Sequence, residues 1–278
     1  LLINDEQSVA YAIKGGVDLN CGSLYRKIPI AVKKGLLSEK DVDKSLKRLL
    51  VTRYKLGMFE EQGTGPYDHL GSEHINSREN KELAYMAASK SIVLLKNTNS
   101  VLPLSKKLNT IFVTGPNAAN IDMAIGNYNG LSSEIITPLE GIVSKVDYGV
   151  AVKYRLGVEL NNPKPNPSFS MMHLASSSDA TIAFMGISAL IEGEEGDAIL
   201  SSANGDRVEI SLPKNQIKYI KELRKRTINK PLILVVSSGS AIDLSDVEEL
   251  VDAIIYCWYP GEQGGRAIAE ILFGDVNP

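Results

Sequence analysis

Apolar residues at helical spacing organise residues 1–60 of the chain. Asn4, with Gln7 three residues later, is a predicted N-cap, and Ser38 followed by Asp41 resembles a capping box at the start of a longer helix that ends before Gly57. The pattern predicts three helices and one very short strand, over residues 4–14, 28–34 and 38–56 and at VDLN, residues 17–20. These elements cannot enclose a core by themselves, so we expect them to pack on the following domain or on another part of a longer protein.

Residues 59–80 are rich in glycine, polar and turn-forming residues, a composition that marks a linker. Beyond it, continuous β-branched runs alternate with helical patterns such as those at 215–226 and 265–274. The five runs are TIFVTGP (110–116), VAVKYRLGV (150–158), ATIAFMGI (180–187), PLILVVSSG (231–239) and AIIYCWYP (253–260). This alternation predicts an α/β fold, a mostly parallel sheet sandwiched by helices, in which ligands bind beyond the carboxyl ends of the strands.

An acidic segment, IEGEEGD (191–197), follows the third of these strands at its carboxyl end. Its carboxylates are Glu192, Glu194, Glu195 and Asp197. Crowded like charges can raise the pKa of one carboxyl group, which suits that group to act as the general acid in cleavage of a glycosidic bond. A solvated acidic loop and a calcium site are the alternatives, although the D-x-D-x-D-G spacing of the common calcium loop is missing.

The loops after the other strands carry weaker signals. GPNAAN (115–120) lacks the GxGxxG and Walker patterns, so a tight strand-to-helix turn is favoured over a nucleotide site. SSGSAID (237–243) lacks GxSxG and a suitably placed histidine, which argues against a nucleophilic serine. Trp258 and Tyr259 either stack on a sugar ring or close the core at the end of a strand.

Composition narrows the classes of partner. The 278 residues are 44% hydrophobic with a net charge of −3, which gives no basic footprint for nucleic acid, and no apolar run approaches the ~20 residues of a membrane span. Cys21 and Cys257 are far apart and the three histidines are scattered, so neither a metal site nor a cofactor is predicted. Because residues 1–9 lack Met and a signal pattern, we expect the N-terminus to be internal to a longer protein.

Several segments together resemble glycoside hydrolase family 3, in the right order along essentially the whole chain. They are GGVDLNCG (15–22), RLLVTRYKLGMF (48–59), LAYMAASKSIVLLKN (83–97), LPL (102–104), GPNA (115–118), GNYNG (126–130), TPLEGI (137–142), IEGEEGD (191–197), GDR (205–207) and the stretch from WYPGEQGG to LFGDVNP (258–278). The resemblance implies a (β/α)8 barrel followed by an α/β sandwich domain, with the active site between them. On this comparison residues 1–60 are the C-terminal remnant of a barrel with its last strand at VDLN, 61–99 a linker, and 100–278 the sandwich.

The resemblance also implies a retaining mechanism with two carboxylates. The family's acid/base lies on a sandwich loop and maps onto Glu194, with adjacent Glu195 as the alternative, whereas its nucleophile is an Asp in an SDW- or SDC-like motif on the barrel. No such motif occurs in the chain, and neither Asp5 nor Asp18 lies in a matching sequence. A retaining enzyme needs both carboxyls only ~5 Å apart, so the chain alone is predicted to be inactive.

The motifs are most similar to the β-xylosidase branch of the family, and β-glucosidases share many of them. The implied partners are a glycoside or oligosaccharide substrate and the N-terminal barrel, and the implied location is periplasmic or secreted. Without a barrel surface to pack against, residues 191–205 are expected to be highly mobile. The competing class is a non-catalytic α/β module that binds carbohydrate or a partner; a Rossmann-like nucleotide-binding protein would require the missing glycine fingerprint.

Overall fold

A computed structural model describes residues 4–127, 129–162, 171–193, 198–203 and 205–278. The chain divides into two compact units, Leu1–Ile75 and Asn76–Pro278. None of the helices in these described ranges is long and apolar enough to cross a membrane.

The first unit is helical and follows the predicted pattern closely. Its helices are α1 (Asp5–Lys14), α2 (Ile28–Lys33) and α3 (Glu39–Lys55), joined by turns and short 3-10 segments. Both predicted N-caps are confirmed, and each is a reciprocal capping box in which Asn4 pairs with Gln7 and Ser38 with Asp41. The small core of this unit consists of Val9, Ala10, Ile13, Ala31 and Leu37.

The predicted strand at residues 17–20 is absent from this unit. An isolated strand has no neighbour to accept its backbone hydrogen bonds, and side chains hold this segment instead. Arg48 forms two hydrogen bonds with the Asp18 carboxylate at 2.5 and 2.6 Å, and the Tyr25 hydroxyl donates to the carbonyl of Val17 at 2.5 Å. The prediction of a short strand here is therefore wrong.

The second unit is a six-stranded sheet flanked by helices, which confirms the predicted fold class. Its strands are β1 (Val93–Asn97), β2 (Thr110–Thr114), β3 (Ala151–Arg155), β4 (Ala180–Gly186), β5 (Leu232–Ser237) and β6 (Ala253–Tyr256). They lie in the order β1-β6-β5-β4-β2-β3, and every pair is parallel except the β1–β6 pair at one edge. The five predicted strands are β2 to β6.

In the described ranges, seven α-helices of the second unit lie before, between and after the strands. They are α4 (Arg78–Ser91), α5 (Asp122–Ile125), α6 (Pro138–Lys145), α7 (His173–Ser177), α8 (Ala189–Glu192), α9 (Lys214–Arg226) and α10 (Gly264–Leu272). Helices α4 and α6 pack against α10, whereas α9 covers the opposite face of the sheet.

Buried side chains cover both faces of the central strands. Every residue of β4 and β5 is buried, as expected for parallel strands between two helical layers. Alternate residues such as Ile182 and Phe184 belong to the core beneath α6 and α10, whereas Ala183 and Met185 belong to the core beneath α9.

The boundary of the second unit differs from the predicted one. Residues 76–99, which the sequence assigned to a linker, contain α4 and β1, and β1 pairs with β6 through the register Val93–Tyr256. The α/β unit therefore begins at Asn76 and not at residue 100. Local sequence did not reveal β1 because a short edge strand is fixed by its distant partner, not by its own apolar pattern.

Candidate functional site

The carboxyl ends of the parallel strands lie at one edge of the sheet, and two glycines shape the backbone there. Gly186 ends β4 with a φ of +123°, and a Cβ on it would lie 2.0 Å from the carbonyl oxygen of Ser237 at the end of β5. Gly115, just after β2, has a φ of +108°, and its Cβ would lie 2.0 Å from the carbonyl of Phe184. Only glycine fits both positions, so the loops after β2, β4 and β5 leave the sheet side by side.

The loop after β4 carries the acidic segment. Ser188 caps the short helix α8 by accepting a hydrogen bond from the backbone N–H of Leu190, and the helix ends at Glu192. The predicted acid/base Glu194 and its alternative Glu195 lie outside the described residues, as does Asp197. The structure therefore describes the residues that precede and follow residues 194–197 in this loop.

Backbone hydrogen bonds hold the described residues that follow. The N–H of Leu200 donates to the carbonyl of Leu190 at 2.9 Å, Asn161 Nδ2 donates to the carbonyl of Leu200 at 3.0 Å, and Ala198 is fully buried. The predicted mobility of residues 191–205 falls partly on residues outside the described ranges and stays a prediction.

The Glu192 carboxylate is mostly shielded from solvent and accepts hydrogen bonds at both oxygens. Oε1 accepts from the backbone N–H of Gly239 at 2.5 Å and from the Tyr259 hydroxyl. Oε2 accepts from Ser240 Oγ at 2.5 Å and lies 3.6 Å from Arg207 Nη1. The side chains of Glu192 and Arg207 are each only 10% exposed, so this ion pair is shielded from water.

Arg207, which follows the acidic segment in the sequence, contacts the loop after β5. Its Nη1 donates to Ser240 Oγ at 2.8 Å and to the carbonyl of Ala241 at 3.2 Å, and its Nε donates to the carbonyl of Glu209 at 3.2 Å. Its Nη2 is buried without a hydrogen-bond acceptor in the structure as described. The guanidinium borders a cavity of about 310 Å³ that Ile187 and Ile191 also line.

Tyr259 brings the loop after β6 to the same carboxylate. Burial, together with the hydrogen bond to Glu192, raises the pKa of Tyr259, so its hydroxyl remains a donor at neutral pH. Gly126, at the start of the GNYNG motif, has a φ of +61°, and its Cβ would lie 3.0 Å from the Tyr259 ring. Residues that follow β4, β5 and β6 thus meet at Glu192, and Gly126, which follows β2, lies beside the Tyr259 ring.

The remaining loop residues have structural roles. The Asn117 side chain is buried and donates to Ser237 Oγ at 2.6 Å, which fits the tight turn predicted for GPNAAN. Of the two aromatic residues, Tyr259 is held by Glu192, whereas Trp258 is 40% exposed at a φ of +55° with its indole N–H bonded to the carbonyl of Ser91. The two residues thus have different surroundings, and stacking of either ring on a sugar stays a prediction.

The sequence pointed to the acidic segment but not to the hydrogen-bond network around Glu192. Glu192 was one of four carboxylates and received no role of its own, Arg207 was visible only within the GDR motif, and Tyr259 was considered only as part of an aromatic pair and of the WYPGEQGG motif. Within the described ranges, no group of three or more His, Cys, Asp or Glu side chains could hold a metal ion.

Comparisons with known proteins agree with this architecture. The model of the Glycosyl hydrolase family 3 C-terminal domain matches residues 92–278. The chain is 36% identical over 282 residues to beta-xylosidase/alpha-L-arabinofuranosidase 1 of Medicago sativa subsp. varia and 30% identical over 295 residues to a periplasmic beta-glucosidase of Salmonella typhimurium. A solved GH3 exo-beta-xylosidase in complex with a xylobiose aziridine activity-based probe superposes with a TM-score of 0.81 at 31% identity.

The comparisons with the Medicago protein, the Salmonella protein and the solved exo-beta-xylosidase each cover 98% of this chain. The chain in turn covers 34% of the Medicago protein, 38% of the Salmonella protein and 34% of the solved exo-beta-xylosidase. It therefore spans about a third of the length of the relatives it matches.

Proposed function

Since the chain belongs to glycoside hydrolase family 3, we propose that it is the C-terminal part of a retaining, exo-acting β-glycosidase. It contributes the acid/base carboxyl group, Glu194, and the nucleophile comes from a barrel that the chain does not contain. Residues 1–60 are the remnant of that barrel, and the substrate is a terminal xyloside or glucoside of an oligosaccharide. The names of the relatives support a β-xylosidase or β-glucosidase, and the Salmonella relative supports a periplasmic or secreted location.

The observation that carries this proposal is the way Glu192 is bound. Donors from Gly239, Tyr259, Ser240 and Arg207 surround its two oxygens, so it cannot also bind a substrate oxygen without losing one of them. A general acid must reach the leaving-group oxygen of the substrate. Of the glutamates in the acidic segment, Glu192 is thus committed to the fold, and Glu194 is the better proton donor.

The reaction divides between the two parts of the parent enzyme. The barrel aspartate attacks the anomeric carbon while the glycosidic C–O bond breaks and the protonated Glu194 gives its proton to the departing oxygen. Glu194, now a carboxylate, then takes a proton from water, whose oxygen attacks the anomeric carbon and releases the sugar and the aspartate. The chain supplies both proton transfers but not the covalent bond, which is why it is expected to be inactive alone.

The test compares this chain with an N-terminally extended parent that includes the barrel. We expect the parent to hydrolyse an aryl β-xyloside or aryl β-glucoside and this chain to show no turnover. In the parent, Glu194→Ala should lower kcat by about 10²–10⁴-fold on a substrate with a poor leaving group. Added azide should restore turnover of an activated aryl glycoside by replacing water as the attacking nucleophile.

Glu195→Ala is the matched control, because it removes the adjacent carboxylate. If azide rescues Glu195→Ala and not Glu194→Ala, the acid/base is Glu195. If neither variant loses activity, the sandwich is a non-catalytic carbohydrate- or partner-binding module. Turnover by the 278 residues alone would place a nucleophile within them and contradict the divided active site.

A further inference from the structure

We propose that Glu192 is a positioning residue for the acid/base, because its hydrogen bonds to the loops after β5 and β6 hold the residue that precedes Gly193 and Glu194. The inference rests on the proposed function of Glu194. The proposed role follows from the hydrogen-bond partners of the Glu192 carboxylate. It does not follow from the presence of Glu192 in a cluster of acidic residues.

The position of Glu192 in the chain gives it control over this loop. Only Gly193 separates it from Glu194, and Gly193 packs so closely that a Cβ on it would lie 2.8 Å from the carbonyl oxygen of Ala189. Gly193 has an extended backbone at φ −71° and ψ 174°, so the chain turns out of α8 directly after Glu192. Because Glu194 is only two residues further along the chain, we expect a change in the placement of Glu192 to alter the placement of Glu194.

An ion pair joins Glu192 to Arg207, and the two residues flank Glu194 in the sequence. In the sequence, residues 193–206 separate Glu192 from Arg207, whose Oε2 and Nη1 atoms are 3.6 Å apart, and each side chain is 10% exposed. Arg207 also donates to Ser240 Oγ and to the carbonyl of Ala241 in the loop after β5. Glu192 and Arg207 thus both contact the loop after β5.

Removing the charge at residue 192 weakens several of these bonds together. Glu192→Gln leaves Arg207 without its buried counter-charge and replaces an acceptor oxygen with an amide that donates toward Ser240 or Tyr259. The loop then samples other positions, and Glu194 spends less time within hydrogen-bond reach of the leaving oxygen. A displacement of about 1 Å is enough to lower a rate by about 10²-fold.

Leaving-group dependence separates this role from a merely structural one. A dinitrophenyl glycoside departs without protonation, whereas an alkyl glycoside or a disaccharide requires the acid. In the extended parent, we expect Glu192→Gln to lower kcat/KM by about 10- to 100-fold on the disaccharide and by less than about 3-fold on the dinitrophenyl glycoside. The comparison uses kcat/KM because this quantity reports formation of the glycosyl-enzyme, whereas kcat also includes the later step in which Glu194 acts as the base on both substrates. Tyr259→Phe should show the same pattern with a smaller loss, because it removes one donor only.

Azide distinguishes positioning from direct acid/base catalysis. Glu192→Gln retains the Glu194 carboxylate, so azide should not accelerate it, whereas Glu194→Ala should be rescued. Glu249→Gln, the same change at an exposed glutamate of the second unit, is the control and should leave both substrates unaffected. Thermal unfolding of each variant shows that the protein assayed is folded, and Tyr259→Phe serves if Glu192→Gln does not fold.

Equal losses on both substrates, or none, would overturn the inference and leave the proposed role of Glu194 intact. Azide rescue of Glu192→Gln with no rescue of Glu194→Ala would make Glu192 the acid/base itself. That outcome would contradict both the inference and the proposed function.

Discussion

Glu270 on α10 is the buried charge around which three helices of the second unit pack. Its carboxylate accepts hydrogen bonds from Lys145 Nζ on α6 at 2.7 Å and from the Tyr85 hydroxyl on α4, and Arg266 Nε lies 3.5 Å away. Burial alone would raise the pKa of Glu270, but the hydrogen bonds from Lys145 and Tyr85 outweigh it, and the net shift is downward. We expect the neutral variant Glu270→Gln to loosen this junction.

The loss of stability caused by Glu270→Gln can be estimated from these contacts. A hydrogen bond to a charged group is worth about 1.5–3 kcal/mol, and glutamine keeps part of each as a neutral acceptor. Lys145 is 25% exposed and Arg266 35%, so water compensates for some of the lost charge. We therefore expect Glu270→Gln to lower the free energy of unfolding by about 2 kcal/mol, which is a drop of roughly 4–8 °C in Tm for a unit of this size.

The effect depends on pH with a definite sign. The folded-state pKa of Glu270 lies below its ordinary value of 4.5, so its contribution is complete above that value and is lost as the pH falls through the folded-state pKa. The difference in stability between wild type and Glu270→Gln should be constant near neutral pH. It should shrink as the wild-type carboxylate becomes protonated.

Tryptophan fluorescence during urea unfolding of this chain is the assay. Trp258 is the single tryptophan of the sequence and lies in the second unit, so its signal reports that unit alone. Titrations from about pH 7 to about pH 3 with wild type, Glu270→Gln and the control Glu249→Gln give the required differences. A Glu270→Gln variant as stable as the control at neutral pH, or a deficit that does not shrink in acid, would refute the reasoning.

Two further changes probe the turn after β4 and the buried thiol. Gly186→Ala should destabilise the second unit by several kcal/mol, since its Cβ would meet the Ser237 carbonyl at 2.0 Å, whereas Gly130→Ala enters open space and should be tolerated, as followed by Trp fluorescence in urea. Equal stability of the two variants would contradict this account. Cys257 is fully buried, and burial raises the pKa of its thiol to about 12, so an aromatic disulfide reagent should modify only exposed Cys21 until the chain unfolds; equally fast reaction of both thiols would contradict the packing.

Much of the fold could be predicted from the sequence because its determinants are local. The capping boxes at Asn4 and Ser38 join residues three apart, and the continuous apolar runs of β4 and β5 report burial on both faces of a sheet without reference to any partner. The position of the acidic segment beyond β4 followed from the rule that functional loops lie at the carboxyl ends of parallel strands.

The wrong predictions concern segments whose secondary structure depends on pairing with a distant part of the chain. VDLN has strand-like residues but no neighbouring strand in its described surroundings, and Asp18 turns to Arg48 instead. In contrast, Val93 begins a strand because Tyr256 lies beside it, far along the chain. Strand propensity is context-dependent for this reason, since a strand makes its hydrogen bonds with another segment.

The sequence by itself determined the family resemblance, the parallel sheet and the loop that should carry an acid. The resemblance placed the acid/base at Glu194, with Glu195 as the alternative, but the local sequence gave no role to Glu192, because the three glutamates differ little in their immediate surroundings. Only the tertiary structure separated Glu192 from the others, by bringing to it donors that lie 47, 48 and 67 residues away at Gly239, Ser240 and Tyr259. The physical reason is that a carboxylate's role depends on which donors surround it, and folding alone places those donors.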